Sequence, residues 1–325
     1  MHNTIHRDEK YTAALLDHIR AEYGIDAVVI MPAARGYYGE TWKLTAACGS
    51  YFVKLDYFPR HQHLFRNSLP VVQHLCDSGI DFIPVGVKTR GEKLFSCFNS
   101  AVLGVFEWLD GENLETDDTK AAEYKMVCKI YTHTKQGFDI PTIHFSDEMA
   151  ARFFGLLERL KAKPPTKEVE MVKKLLETHD MELARRARRL SRFAALCQGD
   201  DSNFFITHGD AGGNFFVAKL MGKSYLVDWD EVMYAPPERD AWVMCCHSWA
   251  RELFNKTLKA NGILYKLCSK RLAFYIYHMY FLYLSEFLDD FLQFGITDSI
   301  EEYFGAGYFM EERIRFADGV GGEDE

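Results

Sequence analysis

Apolar positions recur along the chain with two different periods, and the change from one to the other divides it. Thr12 to Tyr23 has an amphipathic helical spacing that stops at Gly24. Three alternating stretches follow: Ala27 to Ala33, Glu40 to Ala46 and Tyr51 to Leu55. They are separated by Ala34-Arg35-Gly36-Tyr37-Tyr38-Gly39 and by Cys48-Gly49-Ser50. Alternation broken by glycine predicts antiparallel strands joined by turns. A helix is expected over Arg66 to Ser78, with Pro70 in its early part. Further strands are expected near Ile83 to Lys88, Lys93 to Cys97 and Ala101 to Leu109. Beyond this point the spacing becomes helical: Thr119 to His133, Asp147 to Lys161, Lys167 to Gln198, Asp240 to Ala260, Leu264 to Phe291 and Ile300 to Phe316. In this second half, strands are expected only around the polar motif described below. The pattern therefore predicts an α+β chain with a β-rich lobe over residues 1–106 and a mainly helical lobe over 107–325.

Composition narrows the class. The chain has 325 residues, 48% of them hydrophobic, enough for two compact lobes and a substantial core. No apolar run approaches the roughly 18 residues of a membrane span, and the start, MHNTIHRDEK, has no apolar signal core. The eight cysteines form no CxxC pair, which points to a reduced, cytoplasmic protein without structural zinc. The net charge of −9 argues against a nucleic-acid partner and suits a cationic small molecule. The arginines 185, 186, 188, 189 and 192 are read as a solvated helix face, with a nucleic-acid patch as the alternative.

Candidate chemistry concentrates in Thr207-His208-Gly209-Asp210-Ala211-Gly212-Gly213-Asn214 and Leu226-Val227-Asp228-Trp229-Asp230. Both segments adjoin short apolar strands, where a core has little use for so many polar groups. Asp210 is placed to accept the proton of a substrate hydroxyl. Asn214 and Asp228 offer hard oxygens suited to Mg²⁺; an Asx turn explains each of them singly. His208 is read as a loop anchor. Asp230 shares a side with Asp228 on an extended chain. Lys54 lies in Tyr51-Phe52-Val53-Lys54-Leu55, on the face opposite Val53 and Leu55. It is either a phosphate-binding lysine or a solvated one. Gly36, Tyr37, Tyr38 and Gly39 form either a phosphate-approaching loop or a plain hairpin turn. Asp240 is expected to cap a helix starting at Ala241.

In this order these residues resemble the aminoglycoside phosphotransferase family, with its two-lobed protein-kinase-like fold. Asp228 to Asp240 is most similar to the spectinomycin phosphotransferase branch. The resemblance implies ATP (or GTP) and Mg²⁺ as cofactors, with ATP between the lobes. It implies Asp210 as catalytic aspartate, Asn214 and Asp228 as metal ligands, and Lys54 with Gly36, Tyr37, Tyr38 and Gly39 at the phosphates. Phe106, Glu107, Trp108 and Leu109 correspond to the hinge that holds adenine. The acceptor is expected to be a hydroxylated, amine-bearing small molecule, an aminocyclitol such as spectinomycin first. Asp110, Asp230, Glu231, Trp242 and Tyr280 are its candidate contacts. Choline, ethanolamine or homoserine kinase is an alternative, as is a kinase-like nucleotide binder with little transfer activity.

Two departures from the family pattern stand out. Three residues, not the usual four, separate Asp210 from Asn214, and unusual dihedrals at Gly212 and Gly213 are the expected compensation. The resemblance implies an acid on the helix to pair with Lys54, but Arg66 to Ser78 contains no Glu and only Asp77 as carboxylate, near its C-terminal end; similarity to the spectinomycin branch implies Arg66 at the Glu position.

Overall fold

The computed structural model describes residues 7–33, 39–114, 116–199, 203–219, 222–305 and 307–321. The chain forms two compact units, Met1–Thr142 with Phe205–Tyr234, and Ile143–Phe204 with Ala235–Glu325. The expected boundary at residue 106 falls within the first unit. The fold is α+β, with an antiparallel sheet near the N-terminus and a largely helical C-terminal part.

The first unit opens with α1 (Glu9–Tyr23). The Asp8 side chain accepts from the Tyr11 amide at 2.7 Å and stops the helix fraying. Gly24 ends it in the left-handed conformation (φ 72°). Leu15, Ile19 and Tyr23 recur every fourth position and are buried. They pack on a five-stranded antiparallel sheet built from β1 (Ala27–Pro32), β2 (Gly39–Ala46), β3 (Gly49–Asp56), then α2 (Pro59–Asp77), β4 (Ser96–Phe98) and β5 (Ala101–Glu107). The strand order is β1-β2-β3-β5-β4. Trp42, Leu44, Val53, Leu55 and Leu103 fill the core on the α1 side.

The unit continues through β6 (Gly111–Asn113), α3 (Lys120–Tyr131), and then β7 (Phe205–Thr207), β8 (Phe215–Ala218), β9 (Ser224–Leu226) and β10 (Met233–Ala235). Strands β6, β8 and β9 form one small sheet and β10 pairs with β7. Strand β6 carries no apolar alternation, so the sequence pattern misses it. Ile83 to Lys88, expected as a strand, instead makes a single bridge from Gly86 to Phe106.

The second unit is helical: α4 (Glu148–Lys161), α5 (Lys167–Thr178), α6 (Asp180–Cys197), α7 (Glu238–Ala241), α8 (Ser248–Ala260), α9 (Ser269–Phe294), α10 (Asp298–Tyr303) and α11 (Met310–Gly319). The expected continuous helix from Lys167 to Gln198 is two helices broken at His179. Likewise Asp240 lies inside α7 and does not cap a long helix. The aromatic α9 is the central helix, with α4, α6 and α11 packed on it. Among the described residues no helix is long and apolar enough to cross a membrane.

Candidate active site

Register sets the position of Lys54. It stands opposite Thr41 on β2 and Gly104 on β5. Its neighbours Val53 and Leu55 are fully buried in the core, so the pleat turns Lys54 to the other face. There its ammonium lies 2.7 Å from Asp228 Oδ1, forms a second ion pair with Asp230 Oδ2, and sits 5.3 Å from the ring of Phe65. Arg66, which stands where the acid was expected, points elsewhere: its guanidinium lies 5.1 Å from the Phe95 ring.

The loop between β7 and β8 is shaped by backbone hydrogen bonds. His208 is fully buried; its Nε2 donates to the Val227 carbonyl (3.0 Å), and its Nδ1 accepts from the Asp210 amide (3.3 Å). Those two partners fix a neutral tautomer and make His208 an anchor. Gly209 bends the chain at φ 90°, and Ala211–Gly213 complete a 3₁₀ turn. Neither Gly212 nor Gly213 has a positive φ, contrary to the expectation for the shortened loop. The tight 3₁₀ turn accommodates the missing residue. Asn214 Nδ2 donates to both the carbonyl and Oδ2 of Asp210, each at 2.9 Å. The Val227 amide donates to the Asn214 carbonyl at 3.1 Å, which ties the loop to Asp228. Asp228 itself has a left-handed backbone (φ 62°), an uncommon conformation that turns its side chain out of the strand line.

The donor set fits a hard divalent cation. Asn214 uses its side-chain NH₂ group on Asp210, so its side-chain oxygen Oδ1 remains to face a cation. Asp228 is half-exposed and engages Lys54 through Oδ1, leaving Oδ2. Amide and carboxylate oxygens are the ligands Mg²⁺ prefers.

Electrostatics concentrate around Lys54. Burial opposes its charge, yet Asp230 and Asp228 together hold its pKa above the ordinary lysine value. Burial likewise opposes ionisation of Asp228, and the Lys54 ammonium outweighs it, leaving that carboxyl below its usual range. Asp230 moves the other way: burial lifts it, Lys54 offsets this only in part, and the charge of Asp228 adds to the rise.

The hinge candidates continue β5. Phe106 pairs with Phe52, and Phe52 also lies 6.5 Å from Trp108. The Glu107 amide donates to Val85 (3.1 Å) and the Trp108 amide to Ser50 (3.2 Å). Among the described residues no group accepts from the Leu109 amide. Gly39 lies on β2, where a Cβ would come within 2.2 Å of the Leu55 carbonyl oxygen. Gly36, Tyr37 and Tyr38 lie outside the described residues.

The acceptor candidates fall in both units. Asp110 and Glu231 are exposed in the first unit, whereas Asp230 is 6% exposed and engaged by Lys54. Trp242 and Tyr280 belong to the second unit and are 3% and 2% exposed, Tyr280 packed against Phe281 and Tyr303. Sequence reasoning missed His61, which faces Asp230, Asp56, which holds the other side of the His61 ring, and Asn113, whose side chain donates to the Gly213 carbonyl at 2.9 Å. The one available signal was Asp56 at the end of β3, three residues before Pro59, a residue favoured at the first helical position.

Comparison with known proteins agrees with this geometry. Residues 29–275 match the phosphotransferase enzyme family (APH). No curated protein matches the chain in sequence. Among solved structures, spectinomycin phosphotransferase APH(9)-Ia, in complex with ADP and spectinomycin, superposes with a TM-score of 0.75 at 17% identity, covering 94% of this chain and 98% of that one. An amicoumacin kinase bound to AMP-PNP and Ca²⁺ gives 0.62 at 14% identity, covering 96% of each chain. The Plasmodium vivax ethanolamine kinase gives 0.62 at 12% identity, covering 97% and 91%. At such identities the likeness shows a shared protein-kinase-like fold. The family match spans most of the sequence, and the chain belongs to the phosphotransferase enzyme family, as a small-molecule phosphotransferase.

Proposed function

We propose that this family member transfers the γ-phosphoryl group of ATP, with Mg²⁺, to a hydroxyl of a small amine-bearing molecule. The observation that carries the reading is a continuous series of contacts within one compact unit. Lys54 reaches Asp228, the residue before Asp228 holds Asn214, and Asn214 holds Asp210. Phosphoryl transfer needs little covalent chemistry from a protein; it needs charges placed along the triphosphate and an oriented hydroxyl.

Each residue has a role in that scheme. Lys54, with Gly36, Tyr37, Tyr38 and Gly39, binds phosphate oxygens. Asn214 and Asp228 hold Mg²⁺, which neutralises charge on the phosphates when bound. Asp210, kept in orientation by Asn214, accepts the proton of the acceptor hydroxyl. The Leu109 amide, with Phe106, Glu107 and Trp108, serves the adenine. Asp110 and Glu231, both exposed, attract the cationic acceptor. An aminocyclitol like the spectinomycin bound by APH(9)-Ia is the leading acceptor class, with amino alcohols next. The eight cysteines, all free thiols, suit a cytoplasmic site of action. The alternative of a nucleotide binder with little transfer activity draws on the missing Glu and the shortened Asp210–Asn214 loop; the two carboxylates at Lys54 count against the first of these.

The test is a phosphoryl-transfer screen with Mg·ATP and Mg·GTP over spectinomycin, aminoglycosides, choline, ethanolamine and amino sugars. A phosphorylated product from at least one acceptor is expected, with the Asp210→Ala rate lower by about 10²- to 10⁴-fold. Product formed equally well by that variant removes Asp210 from its role, and nucleotide binding without turnover on any acceptor favours the binder.

A further inference from the structure

Helix α2 has no glutamate to offer Lys54, and the structure answers that lack from the opposite direction. A lysine whose side chain is 14% exposed needs anionic partners fixed in place, because a buried cation without them is costly. The fixed partner is Asp230, with its side chain 8% exposed against 47% for Asp228. Asp230 Oδ2 receives Lys54 on one side and faces His61 Nε2 at 3.6 Å on the other.

His61 belongs to the first turn of α2, and its other ring nitrogen, Nδ1, is hydrogen-bonded to Asp56 Oδ2. Asp56, fully buried, is itself held at the end of β3: its Oδ1 accepts from the Phe58 amide at 2.8 Å, and its carbonyl accepts from Gln62 Nε2 at 2.8 Å. A neutral imidazole donates from one nitrogen only. Protonated on both nitrogens, the ring donates to Asp56 and turns a positive edge to Asp230, and the two carboxylates raise its pKa above the ordinary value against the burial that opposes its charge. Three carboxylates, Asp56, Asp228 and Asp230, then face two cations, Lys54 and His61.

We propose that His61 is a positioning residue: α2 contributes a cation that holds Asp230, and Asp230 in turn holds the Lys54 ammonium. The link between helix and lysine thus has the reverse charge order from an acid on the helix. It rests on the reading that Lys54 grips the nucleotide, but the geometry of the Asp56–His61–Asp230–Lys54 series can be tested without a nucleotide.

His61→Asn separates this role from a purely structural one. The Asn amide can still donate to Asp56, as Nδ1 does, but has nothing to reach Asp230. Two measurements are made on the full chain. The first is the rate at which an amine-acylating reagent labels Lys54, followed by mass spectrometry against the other lysines. The second is the affinity for Mg·AMP-PNP by calorimetry. Lys54 labelling is expected to rise about tenfold in His61→Asn, with other lysines unchanged and the melting temperature near that of the wild type. Nucleotide affinity is expected to fall by about tenfold, or about 1.4 kcal/mol. Asp230→Asn should give the same labelling increase, and adding His61→Asn to it should produce little more. Lys54 labelling that is unchanged in His61→Asn, or that rises only as far as every other lysine, overturns the inference. A selective rise in labelling together with a wild-type protein that binds no nucleotide upholds the positioning role and overturns the function proposed above.

Discussion

Two polar clusters, one in each unit, use the same residue types to opposite ends. In the first unit, Lys54 and His61 face Asp56, Asp228 and Asp230, an excess of carboxylate with one member half-exposed. In the second, Asp318 at the end of α11 is surrounded by donors. Arg185 reaches both its oxygens at 3.0 and 2.9 Å, Tyr277 donates to Oδ1, and Arg189 donates to the Asp318 carbonyl at 3.1 Å. The second cluster is saturated and ties α6, α9 and α11 together. The first has acceptor capacity to spare, which is what a cation-binding site requires. Charge placement therefore separates the candidate site from a structural tie, although both contain a paired aspartate.

A matched pair of substitutions tests that contrast and has the largest expected effects. Asp228→Asn should lower turnover by about 100-fold or more, with a weakened Mg²⁺ dependence, while the melting temperature changes little, because Lys54 keeps Asp230. Asp318→Asn should do the reverse. Losing charge-assisted hydrogen bonds and leaving the Tyr277 hydroxyl, on a fully buried side chain, poorly paired costs about 2 kcal/mol of stability, read from denaturant unfolding. Its activity per folded molecule should match that of the wild type. If Asp318→Asn loses activity as severely as Asp228→Asn without destabilisation, the distinction between the clusters fails.

How far each cluster was legible depends on whether local spacing determines it. Lys54 was readable because β alternation assigns faces: once Val53 and Leu55 are core, Lys54 must face the other way. Asp210, Asn214 and Asp228 were readable as candidates because polar groups crowd between apolar strands. The partnership of Lys54 with Asp230 was not, since it joins positions 176 apart in sequence, and spacing indicates only that Asp230 shares a side with Asp228. The start of α2 was missed for a related reason. Its apolar stripe suggests a beginning at Arg66, but the helix starts at Pro59, and its first turn is held by Asp56 and His61 rather than by burial of an apolar face. The break at His179 was hidden because both α5 and α6 carry apolar stripes, so the periodicity runs through the interruption. The arginines of α6, expected to form a solvated face, are partly recruited inward: Arg185 and Arg189 to Asp318, and Arg186 to Glu182 and the Tyr280 ring.

A pH profile sharpens the structural half of the comparison. Burial opposes the charge of Asp318, but hydrogen bonds from Arg185 and Tyr277 prevail and hold its carboxyl below the ordinary range. The folded-state pKa is thus lower than the unfolded value of about 3.9. The contribution is fully present above that value and is lost as pH falls through the folded-state pKa. The difference in melting temperature between wild type and Asp318→Asn should be constant from pH 6 to about pH 5 and shrink below about pH 4. A difference that grows on acidification would contradict the assigned ion pairs.

The smallest effect expected comes from Gly104, on β5 directly opposite Lys54. A Cβ there would lie 2.8 Å from Phe65 Cζ and 3.0 Å from Phe106 Cε2, so both rings must yield. Phe65 lies beneath the Lys54 ammonium, and Phe106 begins the hinge segment. Gly104→Ala should therefore cost about 1 kcal/mol of stability through overpacking. It should also raise the KM for nucleotide a few-fold, while the KM for the acceptor stays constant. The selectivity matters more than the size. If the added methyl destabilises the protein but leaves nucleotide KM untouched, Phe65 packs under Lys54 without helping to place it, and the ion pairs with Asp228 and Asp230 are what position the lysine.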